Sequence, residues 1–322
     1  VAFMTAILHG TIIAALQGAT VDAARVGWEG WDGEEGTGPL GGAALGSVHS
    51  AQIRAPLAPS ARDQGFGRLV EQLEANAQRK MQERANWLSL DHSEGARFRA
   101  WSPKHVFSLI TPYYPCLWTL EKNPSVVEKH DGGKWTCGLP DIGDARPISS
   151  HAEERCVVYS FGSNHEDSFE KEVYRRSGGA CEIHIFDPTS PPLTGNHVAG
   201  YYSLGLAGEK VMKSWGPLDT LTNIVSKLGH KHVDILKVDV EGSEFDAFSN
   251  VDWDSFPARV GQILVELHPR GAILDIHNMI AKLEAAGFRL FSVEPVTHSN
   301  PAQAEIALVH KEWSPRGWMS PA

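Results

Sequence analysis

The sequence predicts a doubly wound α/β fold: a mostly parallel sheet with helices on both faces, ending in a C-terminal antiparallel hairpin. Three observations carry this expectation. From Cys156 onward, short runs of β-branched and aromatic residues alternate with segments of helical period. The last two strand candidates are joined only by the turn-rich "THSNPAQ", too short for a parallel crossover. Nearly every strand candidate also ends in polar residues, where open α/β sheets meet their ligands.

The elements follow in order. "CVVYSF" is the first strand, followed by a polar turn and the helix-like "EDSFEKEVYRRSG". "CEIHIFD" is the second strand and "HVAGYYSLGL" the third. "LDTLTNIVSKLG" sets Leu218, Leu221, Val225 and Leu228 at helical spacing. "VDILKVD" is the fourth strand, with a short helix carrying Phe245 and Phe248 behind it, and "VGQILVELH" is the fifth. "AILDIHNMIAKLEAAG" puts Ile273, Ile276, Ile280 and Leu283 on one helical face and stops at Gly287. "FRLFSVEPV" and "AEIALVH" complete a set of seven strands within a domain spanning 151–322.

Upstream the chain is less regular. Residues 1–65 combine the apolar "VAFMTAILHGTIIAALQGA" with a Gly-, Ala-, Ser- and Pro-rich linker over 29–64. The apolar stretch reads equally as the remnant of a signal or membrane anchor and as an ordinary apolar segment. Membrane anchoring through it, and a membrane or secretory setting in preference to the cytoplasm, are the corresponding expectations. Within 66–100, Leu69, Val70, Leu73, Ala77 and Met81 predict an amphipathic helix of about five or six turns, read as a brace on the domain. Residues 101–150 form a lead-in segment, in which Gly132-Gly133 mark a turn and Trp135 begins an extended piece.

Composition narrows the function. Among 322 residues, 42% are hydrophobic and 21% charged, so a packed core is expected. A net charge of -10 and the lack of a basic stripe argue against nucleic acid as a partner. Four cysteines are too few and too scattered for a zinc ribbon; a Cys116–Cys137 bridge and buried free thiols are equal alternatives.

The strand ends supply the candidate chemistry. After the first come Ser160, Phe161, Gly162, Ser163 and Asn164; after the second, Asp187-Pro188; after the fourth, Asp239, Glu241 and Gly242; after the fifth, Glu266 and His268. Gly162 lets a ligand approach the backbone, and Ser163 with Glu166 fits a capping box opening the first helix. The full G-x-G-x-x-G is absent, so a dinucleotide cradle is not supported. Asp187, about 25 residues after Gly162, suits the vicinal hydroxyls of a ribose. Residues 239 and 241 share strand parity, as do 266 and 268, so these side chains are expected to converge on one cleft. Close buried acids require a cation, a proton or donors, which leaves open a proton-abstracting base, a metal seat or a contact to a cationic cofactor. Glu244 is read as an acid favoured at a helix N-terminus.

At "DGGKWTCG", "VVYSFGSNHEDSFE", "IFDP", "LDTL", "LKVDVEGSE" and "ILVELH" the chain resembles the FkbM-type methyltransferases, and most the eukaryotic methyltransferase-like branch with an upstream "DGGKW". The match in order and spacing covers roughly residues 101–310, and "LKVDVEGSE" is its most specific piece. The resemblance implies a seven-stranded, Rossmann-like class I sheet, with S-adenosylmethionine as cofactor and a small-molecule or carbohydrate hydroxyl as acceptor. It further implies cofactor contacts from Lys134, Ser160, Phe161, Gly162, Ser163, Asn164, Asp187 and Asp239. Asp239 or His268 would be the base, with Glu241 and Glu266 near the substrate. The glycine-rich first motif of such enzymes is reduced here to Gly162. A divalent metal is not expected. Two rivals remain: an inactive binding or scaffold domain on the same fold, and a metal-assisted transferase or hydrolase using Asp239, Glu241, Glu266 and His268.

Overall fold

The computed structural model describes residues 61–90, 110–124, 133–146, 155–268, 273–296 and 303–318. The N-terminal apolar segment and the 29–64 linker lie outside these residues, as do "THSNPAQ" in part and the first residues of "DGGKW".

Seven strands form the central sheet: β3 (Cys156–Phe161), β4 (Cys181–Phe186), β5 (Gly200–Tyr202), β9 (His232–Val238), β10 (Arg259–Leu267), β11 (Phe288–Val296) and β12 (Gln303–His310). Their order is β11-β12-β10-β9-β3-β4-β5. The pairs β3–β4, β3–β9, β9–β10 and β4–β5 are parallel, whereas β12 runs antiparallel to both neighbours. The expected hairpin is therefore present, with its last strand inserted between β10 and β11. The chain builds outward from β3 toward β5, then returns to add β9 and β10 on the other side. This reversal, between β3 and β9, is the topological switch point.

Strands buried on both faces explain the continuous apolar runs of β3, β9 and β10. Alternation divides the core: Val157, Tyr159 and Phe161 point to one layer, Cys156 and Val158 to the other. On the first layer pack α4 (Leu221–Leu228), α5 (Glu244–Ser249) and α6 (Ile273–Ala285). The second receives α1 (Ala61–Leu90), α2 (Leu139–Ala145) and α3 (Ser168–Arg176).

Two elements depart from expectation. The third strand is only three residues long at the sheet edge. Past Tyr202 the chain turns, and β6 (Gly205–Leu206) joins β7 (Val211–Lys213) and β8 (Gly216–Asp219) in a separate sheet ordered β6-β8-β7. Leu206 is thereby buried in the first layer. Leu218 consequently lies in β8 rather than on a helix. The helix begins after Thr220, whose hydroxyl accepts from the Asn223 N–H at 3.2 Å.

The lead-in is an integral part of the domain. β1 (Leu120–Asn123) and β2 (Lys134–Cys137) form an antiparallel hairpin. Buried Gln262 of β10 clamps it through both backbone groups of Cys137: the Cys137 N–H donates to Oε1 and Nε2 donates to the Cys137 carbonyl, each at 2.8 Å. Disulfides join Cys116 to Cys137 and Cys156 to Cys181, so all four cysteines are paired rather than free. The second was not legible, because 25 residues separate two half-cystines that only strand pairing brings face to face. Helix α1 buries Ala77 and is tied down by Arg84–Glu284 and Arg289–Glu74 ion pairs, while Phe66 and Leu69 stay exposed. The short β13 (Trp313–Ser314) and β14 (Gly317–Trp318) close the fold.

Candidate functional site

The carboxyl end of β3 lies at the switch point, but its parts differ from expectation. Gly162 has φ 79°, and a Cβ there would stand 1.7 Å from the Asp239 carbonyl. Glycine is thus required by the close approach of the chain leaving β9. The Gly162 N–H donates to Phe186 O and its carbonyl accepts from Lys237 Nζ at 2.6 Å. Ser160 and Phe161 sit within the strand: the Ser160 hydroxyl donates to buried Glu170, and Phe161 stacks on Phe186 at 4.4 Å. Both side chains, expected to contact cofactor, are thus engaged within the sheet.

The turn beyond Gly162 is built on Asp187. Its Oδ2 accepts from the backbone of Ser163 (3.0 Å) and Asn164 (2.7 Å), and its Oδ1 from Thr189 N and Oγ1 (2.8 and 2.7 Å). Longer bonds come from Ser163 Oγ, Ser190 N and Ser190 Oγ at 3.2–3.3 Å. A carboxylate has about four lone-pair sites, so the short bonds already occupy it. They hold its ionised form well enough that, although burial opposes ionisation, the acid stays below the usual carboxylate range. Ser163 is not a helix cap, because its hydroxyl goes to Asp187. Asn164 and His165 are left-handed, and α3 begins only after Asp167.

The second part of the rim converges as strand parity predicts. Lys134, at the start of β2 and almost wholly buried, places Nζ 3.2 Å from Asp239 Oδ2 and 3.2 Å from Glu266 Oε2, and also bonds Glu305 Oε1. His268 Nε2 stands 4.0 Å from Asp239 Oδ1, 3.6 Å from Glu266 Oε1 and 3.6 Å from Glu241 Oε2. Glu241 itself is left-handed (φ 53°), and its side chain is 81% exposed.

Two acids of this cluster escaped the sequence. Glu244 does open a helix, but it is fully buried there and accepts from Gly242 N at 2.8 Å and His268 N at 2.6 Å. Glu305 lies directly across the ladder from Glu266. Its signal was an isolated acid in the otherwise apolar "AEIALVH".

The three Lys134 donors are all taken by side chains of the protein, so none is left for a cofactor carboxylate. Lys134, expected to face a cofactor carboxylate, offsets the charge of these three rim acids. Burial raises the cost of charge everywhere here, yet the groups split. For Asp239 the attraction of Lys134, with Lys237 and His268, outweighs burial and holds the carboxyl at about 2. For Glu305 burial wins over Lys134, and its pKa is raised. His268 is pushed up to about 9: burial acts against the imidazolium, but Glu244, Glu266 and Asp239 overcome it. At neutral pH, His268 therefore enters the site as a cation and Asp239 as a very weak base.

A family model described as a methyltransferase domain matches residues 59–310. Among curated proteins, the chain is similar to probable methyltransferase-like protein 24 of Rattus norvegicus, 25% identical over 177 residues that cover 49% of this chain and 47% of that one. The Homo sapiens protein of the same name is 25% identical over 157 residues, covering 43% and 42%. The match thus spans about half the length of these relatives. Among solved structures, a Methanococcus jannaschii fibrillarin pre-rRNA processing protein aligns at 9% identity and TM-score 0.34 over 60% of this chain and 88% of its own. An Aeropyrum pernix fibrillarin in complex with S-adenosyl-L-methionine aligns at 14% and 0.31 over 59% and 88%.

Proposed function

We propose, from the premise that this chain belongs to the methyltransferase-domain family, that it moves a methyl group from S-adenosylmethionine to a hydroxyl of a small molecule or sugar. One observation carries the reading: at the switch-point rim, five carboxyl groups, of Asp239, Glu241, Glu244, Glu266 and Glu305, gather around Lys134, Lys237 and His268. A further positive charge would relieve that surplus. The FkbM-type placement is the finer form of the proposal, supported by "LKVDVEGSE" and its position at the end of β9.

The residues fit such a cofactor in kind. Glu305 Oε2 is buried without a hydrogen-bond partner, and Asp239 keeps its side chain 18% exposed. When bound, the donor supplies an electrophilic methyl on a cationic sulfur. Asp239 and Glu241 would hold that charge. Asp187 would take ribose hydroxyls only by exchanging its longer Ser163 and Ser190 hydroxyl bonds for them. His268 becomes a base only after losing its proton. Asp239 and Glu266, once shared with a second cation, hold the imidazolium less firmly, so His268 can then accept the acceptor's proton. Positioning of the acceptor for in-line attack supplies much of the remaining rate. The two disulfides support an oxidising, secretory-pathway setting.

A second reading has one observation behind it: Asp239, Glu266 and His268 bring ligand atoms within 4.8 Å of one another, as a divalent-metal-assisted transferase would. Lys134 stands against it, since its ammonium already bridges Asp239 and Glu266. Calorimetry of the purified chain with S-adenosylmethionine tests both. Saturable binding, unchanged by a strong chelator and lost in Asp239→Asn, is expected. Silence at millimolar cofactor would remove the transferase reading; binding only with added metal would transfer support to the second.

A further inference from the structure

We propose that Glu182, His184 and His230 form a zinc site at the amino-terminal end of the sheet, on the side away from the methyl-transfer rim. Glu182 and His184 share parity on β4, and His230 lies in the turn between α4 and β9. Each offers one ligand atom, all within 4.8 Å of one another.

The histidine rings are arranged as metal ligands are. His230 Nδ1 is 2.7 Å from the Tyr159 hydroxyl, and His184 Nδ1 is 3.3 Å from the Tyr202 hydroxyl. Zinc-bound imidazoles usually donate their other N–H to an oxygen acceptor, which fixes the tautomer and turns the free lone pair toward the metal. With the tautomer in which Nδ1–H donates to the phenol oxygen, each ring would present Nε2 as the ligand atom.

His184 supplies the independent sign. The residue is 8% exposed, and its Nε2 is buried with no hydrogen-bond partner, an arrangement that costs stability unless something fills it. Its ring centroid lies 4.8 Å from that of His230. Glu182 gives one oxygen to Arg155 at 2.9 Å, which orients the carboxylate.

Two imidazoles and a carboxylate suit zinc better than calcium or magnesium, which prefer all-oxygen shells. Tetrahedral bonds of about 2.0–2.1 Å bring ligand atoms to roughly 3.4 Å apart. The three groups therefore close in by side-chain adjustment, and water takes the fourth position. Such an ion would pin β4 to the turn before β9, beside the Cys156–Cys181 disulfide that joins β3 to β4.

The test is a zinc titration of the full chain after metal stripping, followed by calorimetry and thermal unfolding, with cobalt as a spectroscopic probe. Expected are one zinc per chain with micromolar or tighter affinity, a raised Tm, and the visible absorption of tetrahedral cobalt. His230→Gln, at a partly exposed position, and Glu182→Gln should weaken binding at least tenfold with unchanged circular dichroism, whereas His268→Gln should leave stoichiometry intact. Failure of the wild type to bind zinc, full binding by His230→Gln, or loss of the ion in His268→Gln would each overturn the assignment. The last result would show the rim to be the metal site instead.

Discussion

Strand β9 carries one buried aspartate near its start and is followed directly by another, and the two are bound in opposite ways. Asp234 has its side chain wholly out of solvent, and directional donors satisfy it: Arg146 Nη2 at 2.6 Å and Nη1 at 3.3 Å, Val157 N at 3.0 Å, and Trp313 Nε1 at 2.9 Å. Those donors come from the lead-in, the sheet and the C-terminal hairpin, so this one carboxylate ties three parts of the domain together. Asp239 shares the Lys134 ammonium with Glu266 and Glu305, and its other oxygen faces His268 at 4.0 Å. Planar guanidinium, indole and amide groups fix an anion in one geometry, whereas a shared ammonium leaves it able to respond to a new charge. The first arrangement builds structure; the second suits a site.

The largest test of this contrast is Asp234→Ala against Asp239→Asn. Removing one partner of a buried pair leaves the other uncompensated, so Asp234→Ala should lose about 3–5 kcal/mol in urea denaturation. Asp239→Asn should cost about 1 kcal/mol or less, because Lys134 keeps two carboxylates, while transfer to any acceptor and cofactor binding collapse. Equal losses of stability would mean that the rim is as structural as the strand's other end. Next in size is Lys134→Met, which leaves Asp239, Glu266 and Glu305 without their shared cation. A loss of about 2–3 kcal/mol is expected at neutral pH. The carboxyls of the variant would carry folded pKa values raised above the unfolded ones. Their destabilising contribution is therefore present above that range and fades as pH falls and they protonate. A penalty independent of pH would place the role of Lys134 in packing.

The same contrast explains what the sequence revealed. Periodicity located the seven strands and the closing hairpin, since burial on both faces imposes continuous apolar runs at β3, β9 and β10. Parity brought Asp239, Glu266 and His268 together, because alternation is a local property of an extended chain. What remained hidden depends on contacts distant in sequence. Glu305 faces Glu266 only because β12 inserts beside β10. Gly162 answers to the Asp239 carbonyl, and the Asp187 oxygens are filled by a turn whose left-handed residues, Asn164 and His165, carry no glycine to announce them. Asp234 reads in sequence as one more strand residue, for its partners Arg146 and Trp313 lie 88 and 79 residues away.

The smallest expected effect is also the most specific, and it concerns His268. Its folded pKa of about 9 lies above the ordinary imidazole value of 6.5, so its contribution to stability is fully present below about pH 6.5 and disappears as pH rises through 9. Nuclear magnetic resonance titration of the ring should find that raised value in the free chain. Addition of S-adenosylmethionine should then lower it by roughly one unit, since a second cation draws on the same Asp239 and Glu266 carboxylates. The thioether by-product S-adenosylhomocysteine, which lacks the sulfonium charge, should lower it less. Asp239→Asn should lower it in the free chain and remove most of the difference between the two ligands. Identical shifts with both ligands would separate His268 from the charge of the methyl donor. The carboxylate surplus at the end of β9 and β10 would then serve the acceptor instead, and the proton of the acceptor hydroxyl would have to leave through Glu241 or solvent.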